Sequence, residues 1–111
     1  MTGPIPAKTL LVVDRLFPEI LSGAKTSTIR WREARIVPGP LRFAMEGDPS
    51  KTVDVTATRC TDMPLSKAAA FVGRAKDWPD PVMLEGMREH YPEITLSDEV
   101  QVIEFALRPH G

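Results

Sequence analysis

Apolar and polar residues change rhythm several times along this chain, and each change marks an element. Residues 8–13, Lys-Thr-Leu-Leu-Val-Val, form a short apolar run that predicts a buried strand. Asp14 follows as a candidate helix cap, and Phe17-Pro18-Glu19-Ile20-Leu21 predicts a short helical turn. Gly23 closes it, as glycine commonly does beyond a helix. Residues 26–31 predict a strand, and 32–40 a polar, proline-bounded loop. Leu41 to Met45 predicts a further strand, with Gly47-Asp48-Pro49 as a turn. Val53, Val55 and Ala57 alternate with Asp54, Thr56 and Thr58, the pattern of a half-buried strand that pairs with 41–45 as a hairpin. Met63-Pro64 breaks that strand. Residues 66–74 have helical composition. Asp80-Pro81 opens a second helix reaching about His90, with Val82, Leu84 and Met87 toward the core. Residues 99–107 read as a closing strand. About five strands and two or three short helices suit a small α+β domain that curls into a partly open barrel, since closure removes exposed edges.

At 111 residues the chain is expected to be a single domain, residues 1–111, with no repeat, low-complexity tract or linker. No window approaches a membrane span, and Met1 to Pro6 is too short and proline-broken for a signal peptide. One cysteine, Cys60, cannot make an internal disulfide and points to a reducing compartment, the cytoplasm by default. It is expected to be a buried spare cysteine at a strand end. The formal net charge of −1 argues against bulk affinity for nucleic acid. The distribution is uneven. Residues 1–60 hold nine Lys/Arg against six Asp/Glu, and residues 61–111 five against nine. Lys25, Arg30, Arg32, Arg35 and Arg42 cluster with only Glu33 among them. Such a face suits a nucleotide or a short RNA contact better than a long duplex track. A solvated, salt-bridged surface explains the same arginines.

The most chemically loaded stretch is Gly23-Ala24-Lys25-Thr26-Ser27-Thr28-Ile29-Arg30. In a strand, side chains alternate between faces, so Thr26, Thr28 and Arg30 share one face and Ser27, Ile29 and Trp31 the other. With Lys25 at the turn, a potential base, a potential nucleophile and a cationic fork fall close together. His90 and His110 with one cysteine offer no metal-ligand spacing, and no glycine-rich phosphate loop is present. Trp31 and Trp78 can each stack on a base or pack in a core; packing suits Trp31, opposite the polar face.

Gly23-Ala24-Lys25 followed by Arg30 resembles the Gly-x-Lys-x-x-x-x-Arg signature of ASCH domains, which are PUA-like β-barrels. Phe17 to Ser22 resembles the family's lead-in helix, Val53 to Thr58 its central strand, and Glu89-His90-Tyr91-Pro92 with Val102-Ile103-Glu104-Phe105 its final helix end and last strand. The version Lys25-Thr-Ser-Thr28-Ile-Arg30 is similar to the YqfB-type N(4)-acetylcytidine amidohydrolases. That resemblance implies a metal-independent, cofactor-free enzyme that releases cytidine and acetate from acetylcytidine, with Lys25 as general base and Thr28 as nucleophile. The family's glutamate proton donor has no counterpart here. The aligned stretch reads Arg74-Ala75-Lys76-Asp77-Trp78-Pro79-Asp80, where Asp77 lies nearest and Asp80 is the second choice. Arg30, Thr26 and Trp78 are the expected substrate contacts, Arg30 serving either the developing oxyanion or the pyrimidine carbonyl. The alternative function is a non-catalytic ASCH/PUA-like RNA-binding module that uses the arginines between 30 and 42.

The chemistry is feasible with these groups. A threonine hydroxyl is not ionised at neutral pH, so a base must take its proton during attack. Free lysine, with a pKa of about 10.4, needs burial or a nearby cation to serve. A depressed Lys25 pKa is therefore expected, with Arg30 as one cause.

Overall fold

The computed structural model describes residues 9–33 and 35–107. Lys8, the Met1–Pro6 segment and His110 lie outside the described residues. The described elements are β1 (Thr9–Val12), a 3-10 turn (Asp14–Leu16), α1 (Phe17–Ser22), β2 (Ser27–Arg30), β3 (Gly39–Met45), β4 (Asp48–Pro64), α2 (Leu65–Phe71), α3 (Asp80–Arg88) and β5 (Glu99–Leu107). The strands form one sheet in the order β1-β3-β4-β5-β2. β1 runs parallel to β3, and β3 antiparallel to β4, so the sheet is mixed. The expected class, a small α+β domain of about five to six strands with two to three short helices, is the class observed, with five strands in the described sheet.

Local chemistry accounts for the boundaries. Pro18 sits in the first turn of α1, where its missing N–H costs nothing. Gly23 ends the helix at φ 83°, a left-handed conformation that glycine adopts without a Cβ clash, and its N–H bonds the Ile20 carbonyl at 3.1 Å. Asp14 lies inside the 3-10 turn rather than capping it, and Val13 before it makes no side-chain cap bond.

The β3–β4 hairpin turns at Glu46-Gly47, with Gly47 at φ 86°, one position earlier than expected. Asp48 and Pro49 open β4 instead. Met45 pairs Asp48 while Ala44 pairs Thr52, so Pro49 sits in an irregularity where a missing ladder donor is tolerated. β4 then runs to Pro64, whose extended backbone (φ −60°, ψ 144°) hands over to α2.

The described residues fall into two compact units. The first holds the described residues up to Ser27, Ile36–Cys60 and those from Ile103 on; the second holds Thr28–Arg35 and Thr61–Val102. The first is built around Leu10, Val12, Ile20, Leu41, Phe43, Val55 and Phe105. Phe43 and Phe105 meet edge to face, centroids 4.9 Å apart. Cys60 is half-buried, not fully buried, against this core and lies within β4, which continues to Pro64.

The second unit packs Trp31, Met63, Leu65, Ala68, Met83, Ile94, Val100 and Val102. In α3 the buried side chain is Met83. Leu84 and Met87 flank the core, while Val82 is exposed. Asp80-Pro81 at the helix start fixes its phase, and that phase turns Val82 outward.

Candidate active site

The signature stretch straddles the two units, with Lys25 and Thr26 in the first and Thr28 and Arg30 in the second. The left-handed Gly23 turns the chain out of α1. The Ala24 N–H bonds Ser22 Oγ at 3.3 Å, and the Lys25 N–H bonds the Glu19 carbonyl at 3.0 Å. Lys25 is half-buried, and Thr26 is exposed with its carbonyl accepting the Phe105 N–H at 2.9 Å.

In the second unit, Thr28 is only 8% exposed, and its Oγ1 accepts a hydrogen bond from Arg30 Nε at 3.1 Å. Residues two apart on a strand share a face, so this contact follows from the alternation. A guanidinium bonded to a hydroxyl oxygen favours the alkoxide that forms as the proton leaves. The Arg30 side chain is itself mostly buried, and its NH1 lies 3.6 Å from Glu33 Oε1. The Tyr91 hydroxyl donates to Glu33 Oε2. Thr28, Arg30, Glu33 and Tyr91 thus form one continuous polar chain.

Trp31 supports this chain from the core side. It is buried, and the Tyr91 ring meets it edge-on at 5.9 Å. The Arg32 guanidinium lies over the Trp31 ring, 4.2 Å from its centroid. Arg32 holds φ 56°, a left-handed conformation rare for a residue with a Cβ. The loop after β2 and the segment after α3 line an open groove of about 430 Å³, bounded by Trp31, Arg32, Glu33, His90, Tyr91, Pro92 and Glu93. At its wall the Tyr91 phenol is pushed up to about 12. Burial is the main cause, reinforced by the Glu33 hydrogen bond and charge and opposed by the Arg30 charge and a backbone hydrogen bond from Trp31.

Asp77 and Trp78 lie on the turn after α2, both N–H groups bonded to the Arg74 carbonyl, at 3.1 and 2.8 Å. The Asp77 side chain is 63% exposed and pairs with Arg74 at 3.3 Å. Trp78 is partly buried against the second core, with the Arg74 guanidinium 5.8 Å from its ring centroid. The arginine cluster also resolves into pairs. Arg35 grips Asp62 through two bonds of 3.0 and 2.8 Å, and Arg42 grips Asp54 through two of 2.7 and 3.1 Å. The Asp54 hydrogen bond and charge raise the Arg42 pKa further. Among the described residues no cluster of three His, Cys, Asp or Glu side chains is placed to hold a metal, and no helix is long and apolar enough to cross a membrane.

Glu33 and Tyr91 were not singled out by the sequence. Glu33 follows β2 in a loop, and Tyr91 comes 58 residues later. The one local signal was an aromatic residue before proline at a helix end.

This arrangement of mixed sheet and short helices is an ASCH-like fold. Two point variants of the ASCH protein ZmASCH from Zymomonas mobilis superpose with TM-scores of 0.66 and 0.65, at 14% and 13% identity, covering 96% and 93% of this chain and 72% and 70% of theirs. The Enterococcus faecalis V583 protein EF3133, of the DUF984 family, superposes at 0.60 with 15% identity, covering all of this chain and 87% of its own. No family model and no curated protein sequence matches the chain.

Proposed function

We infer that the protein is a metal-independent amidohydrolase that removes the acetyl group from N(4)-acetylcytidine. The observation that carries the reading is the buried Thr28 hydroxyl held by the Arg30 guanidinium at 3.1 Å, inside the Lys25-to-Arg30 signature. A threonine that merely decorated a strand surface would not be buried against a cation.

The reaction follows from the groups present. Lys25 takes the Thr28 proton as Oγ1 attacks the acetyl carbonyl carbon. Negative charge collects on the carbonyl oxygen in the tetrahedral intermediate, where a positioned cation or backbone amides typically contribute several kcal/mol. Arg30 is the cation hydrogen-bonded to Thr28. Collapse expels the cytosine amine, which must be protonated as it leaves. The proton held by Lys25 serves; Asp77 is the carboxylate nearest in sequence to the position of the family's glutamate. Water then attacks the threonine ester, with Lys25 again the base, and acetate is released.

The RNA-binding reading has less support. Arg35 and Arg42 are each engaged by an aspartate through two bonds, which uses the donors a phosphate would take.

Chromatography of purified protein incubated with N(4)-acetylcytidine tests the inference. Wild type should release cytidine, and Lys25→Ala and Thr28→Ala should each abolish release. A folded wild type that produces no cytidine overturns it.

A further inference from the structure

The groove beside Glu33 is larger than the polar chain at its wall requires. Its volume of about 430 Å³ lies within the range of small-molecule sites. Two features mark it as built. The Arg32 guanidinium is backed by the Trp31 ring, which orders an otherwise mobile side chain into a plane. The Arg32 backbone is held at φ 56°, and strain of this kind concentrates at ligand clamps. Stacking on an arginine plane is a way in which nucleobases are held.

The second wall is acidic. Tyr91 and Arg30 fix the Glu33 carboxylate. A carboxylate has about four acceptor positions, so capacity remains for a donor in the groove. Glu93 adds a second carboxylate to the lining. An acceptor wall selects a ring edge that presents an N–H. At the one position it faces, it disfavours a carbonyl oxygen.

We propose that this groove holds the pyrimidine ring of an unphosphorylated cytosine nucleoside, stacked on the Arg32 guanidinium, with the nitrogen on C4 donating to Glu33. The identity of the ring rests on the amidohydrolase reading; its location rests on the groove. An acetylated amine keeps one N–H, so substrate and product satisfy the same contact. Uridine, with an oxygen at that position, does not. Cytidine 5′-monophosphate adds a dianion to a groove that Glu33 and Glu93 line.

Isothermal titration calorimetry with cytidine, uridine and cytidine 5′-monophosphate tests the assignment. Cytidine should bind about tenfold or more tightly than uridine, because an acceptor facing an acceptor leaves both unpaired. The monophosphate should bind more weakly than cytidine. Arg32→Ala should weaken cytidine by about tenfold, the usual loss on removing a stacking platform. Arg32→Gly, which suits the left-handed backbone, should weaken it likewise and separates lost stacking from altered backbone. Glu33→Gln should erase the preference over uridine, since an amide can donate as well as accept. No cytidine binding, equal binding of uridine, or an unmoved affinity in the Arg32 variants overturns the proposal. Turnover of N(4)-acetylcytidine with an unchanged KM in Arg32→Ala and Glu33→Gln would sink the groove assignment and leave the amidohydrolase standing. The expected binding pattern without turnover would do the reverse.

Discussion

Tyr91 is the chain's one tyrosine, so its ionisation can be read directly from tyrosinate absorbance. The perturbation of interest is Glu33→Gln. In the native protein the phenol should titrate at about 12, against 10.0 for an unperturbed tyrosine. That difference is roughly a hundredfold in the ionisation constant. Burial is its largest cause and survives the substitution, whereas the Glu33 charge does not. The variant midpoint should therefore fall below wild type and stay above 10.0. The linkage has a definite sign. A phenol whose folded pKa is raised favours folding fully below pH 10 and loses that contribution as pH climbs toward about 12, because the unfolded chain releases its proton first. Tyr91 is half-exposed, so solvent screening makes the effect on stability smaller than the pKa difference implies. The assay is an alkaline absorbance titration, with circular dichroism to mark where the fold is lost and a urea-unfolded sample as reference. If native and unfolded protein titrate together near 10, or if Glu33→Gln leaves the midpoint in place, the Glu33–Tyr91 contact is not what holds the phenol.

Further expectations concern the site and the core. Thr28→Ser should keep measurable deacetylation where Thr28→Ala does not, because the hydroxyl rather than the methyl is required; equal activity of both would remove Thr28 as nucleophile. Arg30→Lys should reduce turnover despite its charge, since an ammonium lacks the Nε–H that reaches Thr28 Oγ1, and single-turnover kinetics would show it. Gly23→Ala should cost about 1–2 kcal/mol in urea unfolding, because alanine is strained at φ 83°; a neutral result would mean the turn relaxes. Phe43→Ala should cost about 3–5 kcal/mol, since Phe43 is fully buried against Phe105.

Much of the fold was legible in the sequence where the pattern was local. Gly23 announced the end of α1, and the alternation from Val53 to Ala57 announced the burial of Val55 and Ala57 in β4. The β3–β4 turn was placed one residue late, because Asp48-Pro49 looks like a turn wherever it stands, while Gly47 alone supplies the left-handed backbone. In α3 the pattern places Leu84 and Met87 toward the core as observed, but it points to Val82 instead of Met83, because short, proline-flanked helices offer too few turns to define an apolar stripe. At the site, the shared face of Thr28 and Arg30 could be read, being two residues apart in one strand. Glu33 and Tyr91 could not, because a side-chain contact across 58 residues leaves no trace in periodicity. The charge cluster could be counted but not paired. Asp54 and Asp62 reach Arg42 and Arg35 across the fold rather than along the chain.

The Arg42–Asp54 pair has a consequence for how the chain avoids misassembly. The two residues stand directly opposite each other in the β3–β4 ladder, flanked by Leu41 opposite Val55 and Phe43 opposite Val53. A partly exposed ion pair adds little to stability. Yet the ladder already has slack at Ala44/Met45, the kind of irregularity at which a hairpin can zip up out of step. A one-residue slip would set Arg42 against a valine and turn Leu41 and Phe43 toward water. The pair therefore discriminates between alternative hairpins far more than it strengthens the correct one, acting as a check on alignment while the sheet assembles.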